Sequence, residues 1–181
     1  MRRIIIVLSV VIALVGLIGG RSSLGTAAQD DTPTDLAGHP MVGTWMAETP
    51  TGLALVTFAA DGSVVMALQP TQSGPMGVAS VSTEVGTWEP VSARGIHFTA
   101  VQILSDANGK FLGTITIDGY PVASADGQTL RDTGAPGTVT IRDGAHQVVQ
   151  VITDPPLVTG VRMAVGAPGF PDGATSATPA A

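Results

Sequence analysis

The chain has 181 residues, 8 of them basic, 14 acidic and none cysteine, which excludes disulfides and thiolate metal sites. Charged residues make up 12% and the formal charge is −6, without the clustered Lys and Arg that nucleic acid or an anionic membrane surface requires. Aromatic residues are only 4%, so the bulk of any core must come from few positions.

Residues 1–3 are Met-Arg-Arg, residues 4–18 are apolar apart from Ser9 and Gly16, and small residues follow up to Ala28. This order of basic, apolar and small segments predicts a secretory signal peptide over residues 1–28, cleaved after Ala27 or Ala28. The apolar run of 15 residues is short against the roughly 20 of a bilayer span. Membrane association is therefore expected only through this segment, if it stays uncleaved. Removing residues 1–28 takes away Arg2, Arg3 and Arg21 and no acid, leaving 5 basic and 14 acidic residues, a formal charge of −9. The expected location is secreted or within the cell envelope.

Residues 29–39, "QDDTPTDLAGH", and residues 167–181, "APGFPDGATSATPAA", offer too little apolar surface to offset ordering entropy. They are expected to be a disordered spacer and a disordered tail around one domain, residues 40–166. Within the domain, Asp61-Gly62, Asn108-Gly109, Asp118-Gly119, Asp126-Gly127 and Asp143-Gly144 are pairs that favour tight turns. Between them lie short runs rich in β-branched residues, such as "LALVTF", "SVVMAL", "IHFTAVQIL" and "HQVVQVIT", of strand length and without a helical stripe. The prediction is an all-β antiparallel meander of about eight to ten strands. Several runs are apolar on both faces: Ile96, Phe98 and Ala100 on one, Val101 and Ile103 on the other. A closed barrel with a filled interior and covered exterior suits this pattern and removes exposed strand edges; a β-sandwich suits it nearly as well.

"VGTW" occurs at residues 42–45 and again at 85–88, a spacing of 43 residues that places both tryptophans of the chain in the same string. Two copies are too few for a solenoid or propeller. Core anchoring accounts for both tryptophans, at about 3–5 kcal/mol each on truncation. Gly43 and Trp45 on the first strand, with Arg162 in "TGVRMAV" on the last, make the chain resemble the calycin superfamily of lipocalin-like and avidin-like barrels. The resemblance implies that Trp45 plugs the closed end of a barrel and that Arg162 lies across its face in a cation–π contact. Thr153-Asp154 also matches a lipocalin motif, but Pro155 and Pro156 follow, no Tyr lies nearby and the tail carries no helical pattern. The resemblance therefore extends to a calycin-like barrel and not to a lipocalin proper.

Signals for chemistry are sparse. The histidines are His39, His97 and His146, none at a metal-ligand spacing, and no metal or cofactor is expected. Surface or satisfied core positions suit them, with His97 carried forward as a candidate acid/base group pointing into a cavity. Glu84 and Glu89 flank Trp88, and Glu84 is a candidate inward carboxyl. A Gly-x-Ser-x-Gly nucleophile motif is absent. "DANGK" at residues 106–110 lacks the downstream Glu of a calcium loop and reads as a hairpin turn. The string "LSDANGKFLG" is similar to the barrel shared by dirigent and allene-oxide-cyclase proteins, without a catalytic residue to transfer.

Three functions follow as expectations. The first is an exported, non-enzymatic barrel that binds a small apolar or amphipathic ligand. The second is an interaction or structural module of the cell envelope, without ligand. The third is a cyclase-like enzyme that shapes a reactive substrate. A barrel filled by its own Leu, Val and Met would remove the first; buried polar groups converging on a pocket with His97 or Glu84 would favour the third.

Overall fold

A computed structural model of the chain describes residues 36–132 and 136–166. The expected signal segment, residues 29–35 of the spacer and the expected tail lie outside them. The described residues form thirteen antiparallel strands and a single 3-10 turn at Leu36–Gly38. Their ranges are β1 (Gly43–Thr49), β2 (Gly52–Phe58), β3 (Ser63–Ala67), β4 (Thr71–Gly74), β5 (Gly77–Val81), β6 (Glu84–Pro90) and β7 (Ile96–Ser105). They continue as β8 (Phe111–Gly119), β9 (Pro121–Ala123), β10 (Thr129–Asp132), β11 (Thr138–Asp143), β12 (Val148–Ile152) and β13 (Val158–Arg162). Among the described residues no helix is long and apolar enough to cross a membrane.

The all-β meander expected from the turns and β-branched runs is the fold. The strand count exceeds the expected eight to ten because short, polar strands escape a hydrophobic pattern: β4 is Thr-Gln-Ser-Gly and β10 is Thr-Leu-Arg-Asp. There are not two packed sheets but one, in the order β12-β11-β8-β7-β6-β3-β2-β1-β13-β10-β9, with the β4–β5 hairpin attached to β7. This sheet curls into a half-barrel rather than the fully closed barrel expected.

The register explains why. Phe98 pairs with Gly119 on β8, and three residues further along each strand Gly95 bridges Val122 on β9. So β9 prolongs β8 along the same neighbour, and the sheet forks at Tyr120. One branch, β9–β10–β13–β1, brings the curl round to its start at that end. The other, β8–β11–β12, ends at β12, which pairs with no further strand among the described residues.

The core lies inside the curl. On β7, Ile96, Phe98, Ala100, Gln102 and Leu104 are buried while the residues between them face outward, the period-two alternation of a pleated strand. Trp45, Phe58, Val64, Met66, Trp88 and Leu130 join the same cluster from neighbouring strands. The outer apolar face is not covered: Leu55, Val65, Val85 and Ile103 are exposed. Of the expected spacer, the last residues are structured, with Leu36 packed against the core and His39 Nε2 donating to the Ser92 carbonyl at 3.1 Å. His39 Nδ1 accepts from Met41 N–H, so both ring nitrogens are used.

Four of the five Asp/Asn-Gly pairs sit at turns. At Asp61-Gly62 and Asn108-Gly109 the glycine has positive φ, 85° and 78°, and a nearby Asp carboxylate accepts the turn's backbone N–H groups. At Asp143-Gly144 the positive φ falls on His146 instead. Asp118-Gly119 is not a turn at all. It ends β8, where Gly119 makes room for the Phe98 ring: a Cβ there would lie 2.4 Å from Phe98 Cε1.

Candidate functional site

The repeated VGTW string builds one end of the curl. Trp45 is fully buried, and its indole N–H donates to the Met41 carbonyl at 2.9 Å. The Arg162 guanidinium lies over the Trp45 ring at 4.2 Å from its centroid, so the structure brings Gly43, Trp45 and Arg162 together. Arg162 Nε donates to Gly127 O at 2.6 Å, Nη1 to Val42 O at 2.7 Å, and Nη2 to Pro40 O. Those carbonyls come from the chain leading into β1 and from the β9–β10 turn, so one side chain ties β13 to both. Gly43, at φ 137°, is required because a Cβ there would collide with Nη1 of Arg162.

The second copy differs. Trp88 donates its N–H to Ala59 O at 2.9 Å and meets Phe58 edge-on, with 6.1 Å between ring centroids. Among the described residues no arginine covers it; His39 lies beside it instead, at 5.6 Å. Gly86 is needed for close backbone approach, since a Cβ would come within 1.9 Å of the Thr99 carbonyl oxygen. The two copies thus share a job, an inward Trp beside a crowded strand, with different partners.

Inside the curl lies a cavity of about 400 Å³, within the range of small-molecule sites. Phe58, Phe98, Met66, Leu104 and Ile117 line it, with Ala79 and Met76 from the β4–β5 hairpin and Val139 and Ile152 from the splayed branch. The interior is therefore not filled by the chain's own aliphatic residues.

Two fully buried polar side chains interrupt this apolar wall. Glu84 and Gln102 are 0% and 1% exposed, and both line the cavity. Met66 pairs with Glu84 across β3–β6. Extending the β6–β7 register one step beyond Val85↔Val101 sets Glu84 opposite Gln102. Among the described residues neither carboxyl oxygen of Glu84 has a hydrogen-bond partner, and neither does Gln102 Nε2. Burial alone pushes the Glu84 carboxyl up from about 4.5 to about 7, because an apolar surround penalises the charged form. An unpartnered buried polar group costs stability, and perturbed carboxyls of this kind concentrate at functional sites.

His97 is not part of this site. Period-two alternation puts it on the face opposite Ile96 and Phe98, the surface position that suits the histidines, and away from the cavity that an acid/base role for it would need. It sits outside, with Nε2 2.5 Å from Asp118 Oδ1, Nδ1 3.4 Å from Glu89 Oε1, and its ring stacked on Tyr120 at 4.5 Å. Partial burial acts to lower its pKa, but hydrogen bonds to Asp118 and Glu89 outweigh that and raise it above 6.5. Gln102 is the residue that sequence reasoning missed. Its signal was available, since it lies four residues after Phe98 on the buried face of the same strand. Among the described residues no group of three His, Asp or Glu side chains is placed to hold a metal ion.

Comparison with known proteins found no matching family model, no matching curated protein and no matching solved structure.

Proposed function

We propose that this chain is an exported, calycin-like half-barrel that binds a small apolar or amphipathic ligand inside its curl. The single observation that carries this reading is the apolar cavity of about 400 Å³ with two buried, unpartnered polar groups in its wall. An interior of that composition favours an apolar body, and a few convergent polar groups orient it. The tether of Arg162 on Trp45 supports the calycin-like reading of the closed end. The signal-like start supports export, to the cell envelope or beyond it.

The test is titration with Nile red, a neutral dye whose fluorescence rises in apolar surroundings. Wild-type protein is expected to bind it saturably at one site. Ala79 is 5% exposed and lines the cavity from β5, yet it lies outside the packed core cluster. Ala79→Phe is therefore expected to abolish dye binding while the melting temperature holds. Equal binding by both proteins would place the dye elsewhere and remove this reading.

Glu84 favours a second reading, the cyclase-like enzyme. A carboxyl poised near pH 7 in an apolar pocket has the properties of a general acid or base, with Gln102 beside it to orient a polar substrate group.

A further inference from the structure

We infer that the ligand carries a primary ammonium head on an apolar body, the cation set against the carboxylate of Glu84. This rests on the binding reading above and deepens it. Glu84 is wholly buried, and both of its oxygens lack a donor. What would complete it is a group that brings donors into the cavity.

The charge of the wall decides which group. The titratable residues along the cavity are Glu84, Asp132 and Asp118, the last with its carboxylate turned out to His97, and among the described residues no Lys, Arg or His lines it. A fatty carboxylate would enter a site whose charges repel it and whose one buried unpartnered donor among the described residues is Gln102 Nε2. An alcohol would bring one donor and no charge. A primary ammonium brings three donors and a positive charge, and charge-assisted bonds to a carboxylate are about twice as strong as neutral ones. The Gln102 amide, opposite Glu84, either donates to the carboxylate or, turned over, offers its carbonyl to the ammonium. The acidic balance of the domain also draws cations toward the mouth rather than anions.

The experiment displaces Nile red from the full mature protein with decylamine, decanol and decanoate, each below its micelle concentration, at about pH 8, above the point where the Glu84 carboxyl ionises. Decylamine is expected to compete at about tenfold lower concentration than decanol, with decanoate weakest. In Glu84→Gln that advantage of amine over alcohol should vanish. If decanol or decanoate competes as well as decylamine in wild-type protein, the ammonium assignment is overturned while the cavity remains a binding site. If the amine keeps its advantage in Glu84→Gln, the cation is held by another group and the assignment is equally overturned. Failure of Nile red itself to bind would overturn the binding reading, and this inference with it.

Discussion

Arg162→Met is expected to destabilise the fold by about 3–5 kcal/mol, among the largest effects a single substitution here can have. The guanidinium stacks on Trp45 and donates to carbonyls of Pro40, Val42 and Gly127. Methionine preserves apolar bulk over the indole but leaves those carbonyls without their donor, and each partly buried acceptor so stranded costs about 1 kcal/mol or more. Arg162→Lys keeps the charge but not the planar fork, which spans three acceptors in fixed directions. It is expected to recover less than half of the loss. Urea denaturation of the three proteins checks this order. A midpoint for Arg162→Met close to wild type would mean that the lacing of the closed end is ornamental.

The second large effect changes with pH. Folded Glu84 holds its proton up to about pH 7, whereas the unfolded carboxyl releases it near 4.5. Between those values the folded protein binds more protons than the unfolded chain, so stability falls as pH rises through the window and is fully present below it. Integrated over the window, the burden on the folded state above neutrality is about 3 kcal/mol. Glu84→Gln keeps the shape of the side chain and cannot ionise. It is therefore expected to match wild type near pH 4.5 and to exceed it by about 3 kcal/mol at about pH 8. Denaturation midpoints at the two pH values decide it. Parallel profiles for the two proteins would show that the carboxyl is not held in an apolar surround. Carrying such a burden without structural return is the physical sign of a group kept for binding or chemistry.

What the sequence revealed follows from what local pattern encodes. The strands whose inner faces are Leu, Val and Phe were legible, as on β2 and β7, because a buried face imposes a period of two. Most Asp-Gly turns were legible too, since positive φ leaves few alternatives. Gly119 misled because a glycine that relieves crowding against Phe98 is written with the same letters as one that makes a turn. The fork at Tyr120 was out of reach. It arises from which neighbour β8 and β9 take on their far edges, a property of tertiary pairing that neither strand's composition states. Of the site, Gly43, Trp45 and Arg162 were found through a resemblance, and Glu84 through its place beside Trp88. Alternation within Ile96–Ser105 agrees with the surface reading of His97 over the cavity one, and the same alternation pointed inward to Gln102.

Native mass spectrometry of the mature protein, recovered from the medium or envelope of its own host, tests most directly whether the curl holds a ligand. The expected spectrum shows protein beginning near residue 28 and carrying an added mass of small-molecule size that is lost on denaturation, and Ala79→Phe recovered in the same way should lack it. Wild-type protein of bare mass, which also takes up none of the dye or the decyl compounds when they are added, would contradict the binding function and leave the cavity as an unfilled interior of an interaction module.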